Sequence, residues 1–321
     1  MLPENTFDKR NKKQLTSSDV SILLKEDLSD FTRKKIDDTP LWYSDVTIEE
    51  YQNCLLKIVQ AILDPKTLAA GEHRADDWER GWSENFNELM TVLASERAST
   101  DIIIPKYFGK HEYTRLHQCF IKPMTKDFEY RTLCLIVDWL FDKYMRNAQS
   151  IYEFGCGTGY HLFRLRNMNP SATLYGLDWA SASQKIITSL VEKGYASNMY
   201  GQRFDYYNPD YSFRLAKDSV VYTVASLEQV GTRHDKFIKY LLDNRPALCV
   251  HIEPISELLD KNNLIDYLSI LYFSKRNYLS GFLSSLLELE REGNIHIIKQ
   301  QRTYIGSLFI EGHSVVVWAP T

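Results

Sequence analysis

Three glycines at alternate positions, Gly155, Gly157 and Gly159, follow an apolar run that begins at Ile151, and an acid, Glu153, stands two places before the first of them. Glycines at this spacing let backbone N–H groups come close to a bound group, as in the loops that cradle nucleotides. Glu153 occupies a position where a buried strand would hold an apolar side chain. Its carboxylate therefore needs a partner, and a cationic or multi-donor ligand would supply one. A phosphate-binding Gly-x-x-x-x-Gly-Lys-Ser/Thr loop is excluded because no lysine follows. A dinucleotide fingerprint would place its third glycine at position 160, which is Tyr160.

Two further acids come in order after the loop. Asp178 closes the run "LYGLD" with Trp179 beside it, and Asp205 lies between Phe204 and Tyr206 in "QRFDYY". A carboxylate at a strand end can accept from a pair of hydroxyls, and the neighbouring rings can flank a flat heterocycle. Taken singly, a glycine loop is often only a tight turn, and an aspartate after a strand is ordinarily a cap or turn residue. In conjunction, Glu153-Phe154-Gly155-Cys156-Gly157-Thr158-Gly159 and the acids behind it resemble the class I S-adenosylmethionine-dependent methyltransferases, whose first motif is an acid, any residue, then Gly-x-Gly-x-Gly. The resemblance covers about residues 148–321. It implies S-adenosylmethionine as cofactor and S-adenosylhomocysteine as product. It implies that Gly155, Cys156, Gly157 and Gly159 lie along the methionine part, with Glu153 near the amino group. Asp178 would accept from the ribose hydroxyls and Trp179 would lie against the adenine. Asp205 would stand near the adenine amino group, with Phe204 as a ring wall and Ser226 at the neighbouring strand end.

Methyl transfer is an in-line displacement at an activated carbon, so the protein mainly aligns the acceptor and, for a hydroxyl, removes its proton. In this fold the chemistry belongs at the ends of the fourth and fifth strands. The fourth ends in "ASLEQVGTRHD", presenting Ser226, Glu228, Gln229 and His234, and the fifth in "VHIEPISE", presenting His251, Glu253 and Glu257. Histidine suits a base at neutral pH, so His251 and His234 are the expected bases, with Glu253 or Glu228 orienting one of them or serving instead. The alternatives are a core histidine at 251, a helix-capping Glu253 and a surface His234. Upstream, "KYFGKHEYTRLHQCF" gathers Tyr107, His111, Arg115 and His117, which with Gln229 form the expected acceptor-binding set; a solvated mixed-charge helix is the alternative. No metal is expected, although "RFDYYNPD" holds Asp205, Asn208 and Asp210. The amine-methylating Asn/Asp-Pro-Pro-Tyr/Phe motif is absent, since "ASLE" stands at its place. The expected reaction is O-methylation of a small molecule, a sugar or secondary metabolite. Methylation of protein or RNA, and a cofactor-binding partner protein without activity, are the alternatives.

The elements that must position these groups are legible from periodicity. Short apolar runs ("SIYEF", "TLYGLD", "SNMYGQRFD", "SVVYTVAS", "ALCVHIEP", "NIHIIKQQRTYI", "HSVVVWAP") alternate with helical segments. That alternation predicts an α/β, doubly wound, mostly parallel seven-stranded sheet with an antiparallel C-terminal strand. Residues 1–147 read as a helical lid and substrate region, with helices in "TIEEYQNCLLKIVQAIL", "WSENFNELMTVLASER" and "EYRTLCLIVDWLFDKYM", and the first ~15 residues patternless. Residues 148–321 read as the cofactor-binding domain. The net charge of −4 gives no basic field, so nucleic acid is an unlikely partner. Five scattered cysteines and a polar start point to a reduced, cytoplasmic chain without a membrane span. The oligomeric state is left open, a homodimer included.

Overall fold

The computed structural model describes residues 11–94, 100–106 and 108–321. The chain begins with β1 (Lys12–Gln14), α1 (Ser17–Leu24), α2 (Asp30–Asp37), β2 (Trp42–Asp45), α3 (Ile48–Leu63), α4 (Ala75–Leu93), β3 (Thr114–Leu116), β4 (Cys119–Pro123) and α5 (Phe128–Leu140). It continues with β5 (Ser150–Phe154), α6 (Tyr160–Met168), β6 (Thr173–Asp178), α7 (Ser181–Glu192), β7 (Met199–Arg203), β8 (Val220–Val224), α8 (Asp235–Asn244), β9 (Leu248–Glu253), α9 (Leu264–Arg276), α10 (Phe282–Arg291), β10 (Ile295–Gln301), β11 (Ile305–Gly306) and β12 (Ser314–Pro320).

The large sheet has seven strands in the order β10-β12-β9-β8-β5-β6-β7. All its neighbours from β9 to β7 pair parallel, while β12 runs antiparallel to both β9 and β10. This is the α/β fold with an antiparallel C-terminal strand that the sequence predicts. β5, at the centre, reverses the direction of winding, and its carboxyl end is where the crevice of such a sheet opens. The valine-rich β8, buried along its whole length, shows why: helices cover both faces.

The N-terminal part departs from the helical expectation. Its helices are present, and α3 begins as read, with Thr47 and Glu50 capping each other reciprocally at 3.1 and 2.8 Å. The face α3 buries is Cys54 and Ile58 with Tyr51, Leu55 and Ile62 at its margins, whereas Ile48 points outward. The same region also builds a five-stranded sheet, β1-β2-β4-β3-β11. β1 lies within the segment read as patternless, and residues 1–10 are outside the described residues. The sheet takes its last strand, β11, from near the C-terminus, so residues 1–147 and 148–321 share it.

Arg115 fastens that junction. Only 2% exposed, it donates from Nε to the Leu308 carbonyl at 3.1 Å, from Nη1 to the Ile265 carbonyl at 3.1 Å and from Nη2 to the Phe309 carbonyl at 2.8 Å, with Ser269 Oγ also bonded. Arg115→Met would take the buried donor from the Leu308 carbonyl and strip the guanidinium from those of Ile265 and Phe309, which keep contact with Ser269 Oγ. It is expected to destabilise the fold by about 3 kcal/mol or more, read as a lower denaturation midpoint in guanidinium. Lys34→Met on the exposed side of α2 should leave the midpoint in place.

Candidate functional site

After Phe154 the chain bends back over the end of β6: the N–H groups of Gly155 and Cys156 both reach the Leu177 carbonyl, at 2.7 and 3.0 Å. Gly155 and Gly157 take φ of +70° and +52°, in the left-handed region that disfavours a side chain. Space demands glycine as well. A Cβ on Gly155 would overlap Ser226, and one on Gly157 would sit 2.8 Å from the Trp82 ring. Asp178 pins the loop: one carboxylate oxygen accepts from the Gly157 N–H at 2.8 Å and the other from the Ala180 N–H at 2.9 Å. Burial pushes its carboxyl up to about 6. Glu153, 1% exposed, accepts from the Tyr222 hydroxyl at 2.9 Å, and burial holds it well above the usual carboxylate range.

Above this loop lies a cavity of about 400 Å³, within the range of ligand sites. The loop, Glu153 and Asp178 form one end, with Trp179 and Phe204 alongside and Trp78 and Trp82 contributed by α4. Those two tryptophans, one helical turn apart, stack at 5.7 Å between ring centres. The other end holds Glu228, Gln229, Arg74, Arg276 and Tyr278; the charges of Glu228, Arg276 and Arg74 all act on the Tyr278 hydroxyl. Tyr206 belongs to both, its hydroxyl 3.1 Å from Ser226 Oγ and within reach of the fields of Asp178 and Glu153. Four lining side chains carry a buried polar atom without a protein partner: Trp78 Nε1, His161 Nδ1, Gln229 Oε1 and Arg276 Nε.

Of the expected cofactor residues, Glu153, Gly155, Cys156, Gly157, Asp178, Trp179, Phe204 and Ser226 line the cavity. Gly159 does not; it starts α6 at φ +75°. Asp205 does not either. Its carboxylate turns onto the Tyr207 N–H at 2.8 Å, an Asx turn, and Asp210 makes the same turn with Ser212 at 2.8 Å. Among the described residues no group of three or more His, Cys, Asp or Glu side chains could hold a metal ion.

The expected acid–base set needs larger correction, because only Glu228 lines the cavity. His251 lies 0% exposed within the apolar layer formed by Phe237, Phe282 and Trp318, with Nδ1 3.0 Å from Thr223 Oγ1. As a mid-strand residue it points to the face of the sheet rather than along its end. His234 is buried against Phe282 with Nε2 3.0 Å from the Ser280 carbonyl. Glu253 accepts from the N–H groups of Ser226, Leu227 and Glu228, each at 3.1 Å, so it caps the turn after β8 rather than the helix after its own strand. In the acceptor set, Gln229 lines the cavity while Arg115 is the fastening described above. His111 packs edge-on against Phe309 at 4.9 Å, and His117 sits in the turn between β3 and β4 at φ +54°. Their segment is a hairpin and not a helix. Tyr107 lies outside the described residues.

Sequence reading missed Trp78, Trp82, Arg74, His161, Arg276 and Tyr278. The tryptophans had a signal: positions i and i+4 share a helical face, but the helix start was set at Trp82, four residues too late to include Trp78. Arg276 closes α9 and Tyr278 lies just beyond it, with no motif around them.

Neither a protein-family model nor a curated protein matches the chain by sequence. Solved structures similar to the chain include those of S-adenosylmethionine-dependent methyltransferases. Magnesium protoporphyrin IX methyltransferase (ChlM) from Synechocystis PCC 6803 with bound SAH is similar at 12% identity over 74% of this chain and 95% of that one, with a TM-score of 0.46. The S-adenosylmethionine-dependent methyltransferase SibL in its apo form is similar at 13% identity over 96% and 89%, TM-score 0.45. The O-methyltransferase NcsB1 from neocarzinostatin biosynthesis, in complex with S-adenosylmethionine and 2-hydroxy-5-methyl naphthoic acid, is similar at 12% identity over 60% and 58%, TM-score 0.40. None of these likenesses bears on the residues of the cavity. No helix among the described residues is long and apolar enough to cross a membrane.

Burial pushes the His251 ring down to about 3. The unfolded chain takes up this proton below about pH 6.5 while the native ring stays neutral, so this residue's contribution to stability falls as pH drops through 6.5. At pH 5 the loss is ~2 kcal/mol. In His251→Phe the difference in unfolding free energy between pH 7.5 and pH 5 is expected to shift by that amount, whatever the offset at pH 7.5; an unchanged difference in urea titrations contradicts the assignment.

Proposed function

We propose that the protein is an S-adenosylmethionine-dependent methyltransferase acting on a hydroxyl of a small molecule, a sugar or secondary metabolite. The observation that carries the reading is the Asp178 carboxylate, which holds the glycine loop in place while facing the cavity. Each of its oxygens accepts one backbone N–H and keeps a further acceptor site, which suits two vicinal hydroxyls. Glu153 accepts one bond, from the Tyr222 hydroxyl, and has capacity left for an ammonium group. Trp179, Phe204 and the α4 tryptophans supply flat apolar surface for a purine, and the overlap that any side chain at Gly155 would cause keeps the loop open to close backbone approach. These residues fit the cofactor, whose chemistry when bound is a methyl group activated by its sulfonium.

Glu228 is the group suited to take the acceptor's proton. It faces the cavity, and its carboxylate is oriented by Gln229 Nε2 at 2.8 Å. Burial first, and then the Glu253 charge behind it, push it up to about 8, against a smaller lowering by Gln229 and Arg276. A carboxylate so raised is a stronger base than a free one, and it is ionised over more of its sites as pH rises towards 8. The N-terminal region, through α4 and Arg74, closes the acceptor side as a lid.

Titration calorimetry with S-adenosylhomocysteine tests the cofactor. Binding is expected, and Asp178→Ala should weaken it by about 100-fold or more, from two lost bonds to a charged acceptor. Affinity should also fall below about pH 6, as Asp178 takes up a proton. A folded sample giving no heat at millimolar ligand sinks the reading. For the base, Glu228→Gln should lower kcat by roughly 10²–10⁴-fold at unchanged S-adenosylhomocysteine affinity, and wild-type turnover should climb with pH to a plateau above about 8. Full turnover in the variant would remove Glu228 from the mechanism.

A further inference from the structure

The half of the cavity away from the glycine loop is built around a guanidinium that the protein itself leaves underused. Arg276 ends α9, and its backbone is fixed there: its carbonyl accepts from the Ala70 N–H at 2.6 Å, and Asn277 Nδ2 returns to the Ala70 carbonyl at 2.9 Å. The side chain lies over the Tyr278 ring at 4.9 Å, a contact that orients the planar fork without neutralising it. Among the described residues its guanidinium makes one hydrogen bond, a long one of 3.4 Å with the Tyr272 hydroxyl, while Nε is buried without a partner. Arg74, at the same end, spends only Nε on Asp77 at 2.6 Å. Lys110 stands at the cavity too.

The acid at this end, Glu228, does not cancel these charges. No ion pair joins it to Arg276 among the described residues, and its own hydrogen bond goes to Gln229. Arg74 at this end is balanced by Asp77, whereas Arg276 has no ion-pair partner among the described residues and the raised Glu228 carboxyl leaves its charge largely unbalanced at neutral pH. The two Nη ends of a guanidinium fork, of which only one carries a long bond here, match a carboxylate in two-point contact.

We propose that the methyl acceptor is a ring-bearing hydroxy acid whose carboxylate is received by Arg276, with Arg74 assisting, and whose hydroxyl is thereby delivered to Glu228 over the Tyr278 and Tyr206 rings. This rests on the methyltransferase reading and gives its substrate class. The shared chemistry, a carboxylate and a hydroxyl on one ring, occurs in aromatic hydroxy acids and in sugar acids alike. In the transfer, the acceptor oxygen bonds the methyl carbon as that carbon's bond to the sulfonium sulfur breaks, the electron pair staying on sulfur to leave S-adenosylhomocysteine, and the hydroxyl proton passes to Glu228; the acceptor's carboxylate takes no part in bond changes. Arg276 is thus a substrate-positioning residue.

The test uses the full chain saturated with S-adenosylhomocysteine. Binding of 3,4-dihydroxybenzoate and of glucuronate is compared with that of their uncharged amides by calorimetry. At least one acid is expected to bind about 10- to 100-fold more tightly than its amide, and which one does so tells aromatic from sugar acid. Arg276→Met should erase the acid preference and Arg276→Lys restore part of it, both with S-adenosylhomocysteine affinity within about threefold of wild type. Equal binding of acid and amide in both pairs, no binding by either acid, or an acid preference intact in Arg276→Met overturns the proposal while leaving cofactor binding, and so the methyltransferase reading, standing. Absence of S-adenosylhomocysteine binding overturns both. If Arg276→Met does not fold, the wild-type comparison of acid with amide still decides.

Discussion

The acceptor side of the cavity depends on one buried carboxylate that never faces it. Glu253, at the end of β9, is 0% exposed and gathers the N–H groups of Ser226, Leu227 and Glu228. A short helical turn, Leu227–Val230, starts there and leaves those donors open. An ionisable group buried without donors would cost several kcal/mol; with three it becomes a fixed hinge between β9 and the end of β8. Burial still pushes it up to about 7. The direction in which Glu228 and Gln229 leave the backbone follows from this cap, and so does the placement of Ser226 against Gly155. Ser226 Oγ then donates to the Phe154 carbonyl at 2.9 Å, joining the end of β8 to the end of β5.

The other side of the cavity repeats the device with Asp178, which ties Gly157 to the start of α7. The N-terminal region attaches to the same corner. Trp82 covers Gly157, Thr158 Oγ1 donates to the Ile103 carbonyl at 2.6 Å, and Glu79 of α4 accepts from the N–H groups of Ser181 and Ala182 at the head of α7, at 2.6 and 3.2 Å. An acid there also suits the positive end of the helix. An N-terminal region docked on the glycine loop itself makes the loop's backbone shape and that region's position a single structural variable.

What the sequence made legible was whatever the local chain alone dictates. The strand, glycine loop, helix and strand-end acid of the cofactor side follow from spacing and from backbone sterics, and Glu153, Gly155, Gly157 and Asp178 stand together as read. The acceptor side depends on contacts between segments far apart, and there residue type misled. His251 has the chemistry of a base, but its strand position aims it into the layer of Phe237, Phe282 and Trp318. Arg115 has the chemistry of an anion site, yet the last strand of the small sheet, residues 305–306, pairs alongside it and the carbonyls of Leu308 and Phe309 just beyond close on the guanidinium. No local pattern announces that a two-residue strand will cross to another sheet. Arg276 reaches the cavity only because α9 ends beside Ala70, a contact across 206 positions that no spacing rule contains.

The two ends of the cavity are charged in opposite senses by the same physical cause. Burial disfavours charge on Glu153, Asp178 and Glu228 and raises all three, whereas guanidiniums stay charged under any burial seen in proteins. In the ligand-free chain at neutral pH the acids therefore carry less than their formal charge and the arginines carry all of theirs. A cationic group at Glu153 would favour the ionised form of that carboxyl, against the burial that disfavours it. At the other end Glu228 is raised to about 8 while Arg276 keeps its charge. A ligand pair with positive charge at the glycine loop and negative charge at Arg276 is the arrangement that leaves neither end uncompensated.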